Sequence, residues 1–422
     1  MPSIFPSAAV LRQKYALVSS LRAQGYTIGS FEDGRPAPGD LFLVAEGETP
    51  PAAARTIIVG SDGRVIQPSH DGNPARIAFG PADAAIGNGF ARAMLAGPEV
   101  PTAADPESLA LYALAERVAA ADITVLINGP TGTGKEVLAR AIHLNSARAA
   151  GPFIAVNCAA LPETMLEALL FGHQKGAFTG ASSGGEGFFR AANGGTLLLD
   201  EIAEMPINLQ AKLLRALQER EVIPIGATAA QAIDVRVIAC ANRDLQGEVA
   251  AGRFRADLYY RLSVFPLETK PLADRPQDIP ALAATLILRH AGSRKTIPWP
   301  DAAALDLLIA HRWPGNVREL ENVIQRALLF AAGDTIDASH IVFDRAPDAP
   351  REAIRPSESP TATLGNIVQM SEFQAIRETL AACGGSRTET ARRLGISERT
   401  LRYRLAKARE QGDDIVFRAA SA

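Results

Sequence analysis

Cysteine is scarce in this 422-residue chain. Cys158, Cys240 and Cys383 are the only three, they lie far apart, and they form no CxxC pair. That usage excludes a disulfide scaffold and a cysteine-rich zinc site, and it fits a reducing, cytoplasmic compartment. Long apolar runs are missing too. None approaches the ~18 residues of a membrane span, and the stretch from Met1 to Tyr15 lacks the basic-then-apolar order of a secretory signal. Positive charge is not in surplus, because the formal net charge is −3. Any nucleic-acid contact must therefore come from a local basic patch. Lysine is absent altogether from Tyr15 to Gly134. A phospho-accepting receiver domain needs a lysine late in its fold to pair with the phosphoryl group, and an early acidic pair to hold magnesium. Neither stands at those places in the first 105 residues.

What is present suits a folded protein, with 47% apolar and 21% charged residues. At roughly 100–200 residues per domain, the length implies two to four domains. Two composition breaks divide the chain: Gly97 to Pro106, and the Pro-rich stretch from Arg345 to Gly365. They predict a regulatory unit over 1–105, a central unit over 106–344, a linker over 345–365 and a C-terminal unit over 366–422. In the first unit, Leu41–Val44 and Thr56–Val59 read as short buried strands, and helical patterns lie near Ala8–Leu21 and Ala84–Leu95. A small α/β domain is expected there. In the central unit, Ile123–Ile127, Thr196–Leu199 and Val235–Ala239 are strands apolar on both faces, separated by helical stretches. That pattern predicts an α/β fold with a mostly parallel sheet covered by helices.

The central unit carries two chemical motifs. Gly129-Pro130-Thr131-Gly132-Thr133-Gly134-Lys135 fits GxxxxGK between a strand and a helix. The glycines let the backbone curl so that its N–H groups face phosphate oxygens, the helix adds its positive end, and Lys135 reaches the β/γ-phosphates. Glu136 follows, where Ser or Thr would ligate magnesium in the general pattern. The second motif is the apolar strand Thr196–Leu199 ending in Asp200 and Glu201. Asp200 is placed to hold Mg2+, and Glu201 to orient or deprotonate an attacking water. Between them lies Gly176-Ala177-Phe178-Thr179-Gly180-Ala181. Its two glycines permit a sharp hairpin, and Phe178 gives it an apolar tip.

The C-terminal unit reads as a helix-turn-helix, with helices near Glu372–Ala382, Arg387–Leu394 and Glu398–Arg409. Gly395 permits the tight turn and Ser397 caps the last helix. From Gly384 to Gln411 there are eight Lys/Arg against three Glu, a surplus of five positive charges on a net-negative chain. Arg399, Thr400, Arg402, Tyr403 and Arg404 would face or flank the major groove of DNA.

Residues 106–344 resemble the AAA+ ATPase domain of bacterial enhancer-binding proteins, the activators of sigma-54 RNA polymerase. The likeness rests on Gly134-Lys135-Glu136, Phe153–Leu161, Phe171–Ala181, Gly194–Ile202, Ala241–Leu245 and Trp313–Leu320, and it returns in Leu394–Leu401. Glu136 is the usual residue after the loop lysine in that family. Pro130 stands where Glu is more common, and Ala241 where Thr is usual. The resemblance implies an AAA+ P-loop fold with a small helical lid, ATP with Mg2+ as cofactors, and the following roles. Asn157 would be the switch that restrains Glu201, Asn242 the first sensor and Arg318 the second. Arg255 and Arg261 would be arginine fingers acting on a neighbouring subunit, which requires a homo-oligomer, a hexameric ring when active and a dimer when inactive. The local alternative for Arg255 is a pair with Asp257. Gly176–Ala181 would touch the sigma factor, and the C-terminal helices would hold enhancer DNA. His143, His173 and His311 are read as structural, with no metal beyond the nucleotide's. The implied activity is ATP-driven promoter opening. A DNA-binding repressor that uses the ATPase fold only for assembly is the competing reading. The N-terminal unit without phosphorylation residues is similar to the flagellar-gene regulators of the family, and it implies control by a protein partner on the N-terminal or central unit.

Overall fold

The computed structural model describes residues 3–30, 37–97, 100–177, 183–292, 294 and 296–344, and in the C-terminal segment 379–380, 383, 386–393, 398 and 401. The chain forms two compact units, Met1–Ala346 and Pro347–Ala422.

The chain begins with β1 (Ser3–Pro6), α1 (Ala8–Gln13), α2 (Tyr15–Ala23), β2 (Thr27–Ile28), β3 (Leu41–Ala45), β4 (Thr56–Gly60), β5 (Val65–Gln67), β6 (Ala75–Ala78) and α3 (Ala84–Ala96). Ser7 starts α1 by accepting the Val10 N–H on its hydroxyl at 3.3 Å. The strands form one sheet in the order β2-β1-β3-β4-β6-β5, parallel except for β5. The small α/β domain expected from the two apolar runs is thus present, with β3 and β4 at its centre. The parallel strands end in Ser7, Glu46, Ser61 and Phe79 at their carboxyl edge. Glu46 pairs with Arg76 at 2.7 Å. The Lys14 ammonium donates to the Phe79 carbonyl and lies 3.8 Å over that ring.

Next come α4 (Pro106–Ala119), β7 (Val125–Asn128), α5 (Lys135–Leu144), β8 (Phe153–Asn157), α6 (Glu163–Phe171), α7 (Phe188–Ala191), β9 (Thr196–Asp200), α8 (Ile207–Glu219), β10 (Glu221–Val222), β11 (Gln231–Ala232), β12 (Arg236–Ala241), α9 (Leu245–Ala250), α10 (Ala256–Leu262) and β13 (Phe265–Glu268). Asp105 caps α4 through the Glu107 N–H, with Pro106 in the first turn. The central sheet runs β13-β7-β12-β9-β8, every pair parallel. Strand β7 begins two residues later than its apolar run. Buried Arg236 draws the carbonyls of Val118, Ala119 and Ile123 to its guanidinium, so Ile123 serves that contact instead of the ladder.

The lid follows as α11 (Asp278–His290), β14 (Trp299–Pro300), α12 (Ala302–Ala310), α13 (Asn316–Phe330) and β15 (Thr335–Ile336). Its apolar residues join those of the N-terminal sheet in one core. Phe79 and Phe90 lie against Trp299, with ring centroids 6.4 and 5.1 Å away. Gly89 makes the crossing of α3 and α11 possible, because a Cβ there would stand 2.9 Å from the Ala281 Cα and 3.0 Å from the Ala284 Cβ. In the C-terminal unit, α14 (Arg387–Arg393) falls on the second expected helix. The linker 345–365 and most of the other two expected helices lie outside the described residues.

Gly89→Leu should lower stability by about 1–3 kcal/mol, since the added atoms meet backbone across a packed helix crossing. Gly39→Ala, with nothing within 4 Å of the new Cβ, should change it by less than about 0.5 kcal/mol. Urea unfolding of both variants measures the difference.

Candidate nucleotide site and partner-facing segments

The loop from Gly129 to Gly134 leaves the carboxyl end of β7 and opens α5. Gly129, Gly132 and Gly134 adopt φ of 145°, 78° and 100°. At Gly129 a side chain is also barred by space, because a Cβ would lie 2.1 Å from the Thr269 Oγ1. Lys135 is 7% exposed and donates to the carbonyls of Gly129 at 2.7 Å and Pro130 at 2.9 Å. Burial lowers its pKa, opposed by Cys240, Asp200 and Glu201, while Arg318 lowers it further. Lys135, Asp200, Glu201 and Arg318 therefore share one electrostatic neighbourhood. Glu136 faces outward and pairs with Arg140 at 3.3 Å.

Asp200 ends β9. Burial raises its pKa, and the Glu201 N–H, which donates to its Oδ1 at 3.0 Å, works against that shift, as does Lys135. Glu201 itself sits in the left-handed region, φ 52° and ψ 44°. That conformation is costly for a residue with a side chain and is typical of sites where function fixes the backbone. Asn157 is the register partner of Asp200 across β8 and β9. Its Oδ1 accepts the Ala159 N–H at 2.8 Å, so it caps its own turn. Asn242 follows β12, whose last carbonyl accepts the Gly129 N–H at 3.1 Å. The Asn242 Oδ1 is buried without a partner among the described residues, and the residue lines a cavity of about 430 Å³ with Gly129 and Pro130.

Several residues that the motifs did not flag hold the loop. Thr269 bonds to the Thr133 Oγ1 at 2.7 Å and to the Asn128 carbonyl at 3.1 Å. Arg275 donates to the Thr133 carbonyl at 2.7 Å. Asn316, at φ 53°, donates to the Thr131 carbonyl at 2.9 Å and accepts the Leu272 N–H at 2.8 Å. The Val317 N–H reaches the Gly132 carbonyl at 2.9 Å. The N-terminus of α13, and with it Arg318, is thereby seated on the phosphate loop. Asn316 stands in the Trp313–Leu320 string, but nothing local marks it as a loop contact. Arg275 and Asp278 are three apart, a spacing that signals a helix pair and hides a buried hub.

The arginines of α10 do not join this cluster. Arg255 grips Asp257 with two bonds of 3.0 and 2.7 Å, the local pairing weighed from the sequence, and Arg261 donates to the Leu217 carbonyl at 2.8 Å. His143 is buried against the Thr196 Oγ1 at 2.9 Å, and His311 stacks on Phe343 at 4.1 Å.

Residues 102–268 match the Sigma-54 interaction domain family, 273–355 the AAA+ ATPase lid domain, and 367–407 the Fis family of bacterial regulatory proteins. The response regulator protein FleR of Pseudomonas aeruginosa is 51% identical over 341 residues, 75% of this chain and 71% of FleR. The transcriptional regulatory protein FlbD of Caulobacter vibrioides is 45% identical over 321 residues, 74% of this chain and 70% of FlbD. The chain belongs to the NtrC family of sigma-54-dependent transcriptional activators. NtrX from Brucella abortus, solved in complex with ATP, has a similar fold with a TM-score of 0.54 at 25% identity, covering 98% of this chain and 100% of that one.

The central domain of this activator is thus an AAA+ ATPase, and its DNA-binding domain is of the helix-turn-helix kind. Of the six residues Gly176–Ala181, the first two are described and Phe178–Ala181 lie outside the described residues. The base of the activator's loop is pinned by main-chain bonds. His173 and Gly185 exchange N–H donors at 3.0 and 2.9 Å, and Gln174 N–H donates to the Ile225 carbonyl at 2.9 Å. Arg399, Thr400, Arg402, Tyr403 and Arg404 also lie outside the described residues. No described helix of the activator is long and apolar enough to cross a membrane.

Asp278 is wholly buried and accepts the Ala104 and Asp105 N–H groups, the Ser108 hydroxyl and Arg275. Asp278→Ala strands Arg275 and should destabilise the activator by about 3–5 kcal/mol. Because Arg275 also holds the phosphate loop, nucleotide affinity should fall in the fraction that remains folded. Urea unfolding and equilibrium binding of a fluorescent ATP analogue measure the two effects.

Proposed function

We propose that this activator hydrolyses Mg2+-bound ATP in a ring, with the residues of the cluster in distinct roles, and spends each turnover moving Gly176–Ala181 against the sigma-54 holoenzyme. The convergence of Lys135, Asp200, Glu201 and Arg318 around one loop is the observation that carries this reading. Lys135 would leave its two carbonyls for the β/γ-phosphates, and the loop N–H groups with the α5 terminus would add donors. The half-buried Asp200 carboxylate suits a Mg2+ ligand, and the Asn242 Oδ1, unpartnered among the described residues, suits a contact to the attacking water or its shell. Glu201 would orient that water. Asn157, beside Asp200 and held by a single N–H, would swing to Glu201 when the phosphate state changes.

Arg255 and Arg261 would serve a neighbour's nucleotide; both contact α8 or α10 of their own chain, and among the described residues neither bonds to the phosphate loop. A neighbour's γ-phosphate would compete with Asp257 for Arg255. This supports a hexameric ring in the active state, built from a smaller resting form. DNA recognition by Arg399, Thr400, Arg402, Tyr403 and Arg404 would gather copies on enhancer DNA near sigma-54 promoters, with flagellar genes as the target class. The N-terminal sheet would take its signal from a bound partner in the cytoplasm.

Lys135→Ala should abolish nucleotide binding, because no other loop side chain is cationic. Glu201→Gln should keep binding and lose about 100-fold or more in turnover, since it removes the base and spares the metal ligand. Calorimetry with ATP and a coupled ATPase assay test the pair, and wild-type turnover in Glu201→Gln would place the base elsewhere. Thr179→Ala should hydrolyse ATP and bind enhancer DNA like the parent yet form no open complexes, since a contact made in one nucleotide state is what transmits the work. Permanganate footprinting of the promoter reads that loss, and wild-type promoter opening by this variant would sink the coupling role.

A further inference from the structure

A cavity of about 170 Å³ lies where the N-terminal sheet meets the ATPase domain, walled by α2 and α3 on one side and by α4 and α5 on the other. Two of its lining residues carry a buried polar atom with no hydrogen-bond partner among the described residues: the Arg92 Nε, a donor, and the Gln24 Oε1, an acceptor. Arg92 is only 6% exposed. Among the described residues its one hydrogen bond goes to the Pro101 carbonyl, and none of their carboxylates forms an ion pair with it. Burial accordingly lowers its pKa. The Gln24 amide is held in place by its Nε2, which donates to the Ala103 carbonyl at 3.0 Å. Arg22 and Glu116 also line the cavity, so its lining carries one net positive charge, and Leu109, Ala113 and Val100 supply apolar wall.

A buried guanidinium normally has a counterion, because the desolvation cost is otherwise uncompensated. This one lies on the lining of a partly apolar cavity and keeps a donor that no described residue accepts. We propose that the cavity is a binding site for a small organic carboxylate with an apolar body, its carboxylate on Arg92 and its body against Leu109 and Ala113. A single buried donor group suits a monoanion better than a phosphate, which would call for several. The volume accommodates about ten non-hydrogen atoms. Such a ligand would bridge the regulatory domain and α5, the helix that begins at Lys135, and so join signal to motor. The site uses none of the nucleotide or sigma-facing residues, and its occupancy is read by binding alone.

Calorimetry on the full chain tests it with butyrate, hexanoate and phenylacetate, and with hexanamide as the uncharged counterpart. Hexanoate should bind saturably at one site per chain, tighter than butyrate by about fourfold per added methylene, and hexanamide should bind roughly tenfold or more weaker. Arg92→Met should abolish hexanoate binding while keeping the fold, since an apolar side chain of similar length replaces an unpaired charge. Ala113→Phe at the rim keeps the guanidinium and fills the space, so it should abolish binding as well, and it decides the matter if Arg92→Met does not fold. The proposal fails if neither hexanoate nor phenylacetate gives saturable heat up to about 10 mM, a dissociation constant already too weak for a built site. It fails equally if hexanamide matches hexanoate, or if folded Arg92→Met or Ala113→Phe binds like the parent.

Discussion

The buried pair of Arg275 and Asp278 joins segments that are otherwise distant in the chain. Asp278 takes two main-chain N–H groups from the start of the ATPase domain, a hydroxyl from α4 and the guanidinium of Arg275. Arg275 extends its other end to the phosphate loop at Thr133. Burying two charges is unfavourable unless their hydrogen-bonding capacity is met, and here every Asp278 oxygen is occupied. The interaction fixes the lid, the entry to α4 and the loop in one arrangement. Loss of any of these contacts leaves a charge in a dry interior, so the geometry of the nucleotide site is held by electrostatics that tolerate little drift.

The same hub reaches the regulatory domain. α11 begins at Asp278, and its residues Ala281 and Ala284 lie against Gly89 of α3. The Thr102 and Thr285 hydroxyls meet at 2.9 Å between these layers. The N-terminal sheet and the lid therefore share a core instead of being joined by a tether. A change in lid angle cannot occur without repacking α3, because close-packed helices shift as bodies and do not deform continuously. This gives a physical route by which events at residues 3–97 bear on ATP chemistry without a phosphoryl group.

The side chains around the nucleotide site are engaged by their own chain. Lys135 rests on loop carbonyls, Asn157 on its own turn, and Arg255 on Asp257. The Lys135 bonds are exchangeable, because a phosphate would offer it a charged acceptor in place of two neutral carbonyls. The left-handed Glu201 is the exception. Its strained backbone is held by the strand on one side and the short helical turn after it.

The chemistry was legible in the sequence because it is written in short, contiguous strings. Gly129–Lys135 and Thr196–Glu201 are each one strand end with its loop, and the local backbone demands, positive φ at three glycines and apolar residues on both strand faces, fix residue identity there. Tertiary structure alone decided what lies between strings. Arg275 with Asp278, Asn316 and Thr269 act on the phosphate loop across more than a hundred residues of chain, and no periodicity records such a contact. The pairing of α3 with α11 through Gly89, and the unpaired guanidinium of Arg92 beneath it, are equally invisible, because a glycine or an arginine within a helix has no local signature of the surface it will meet.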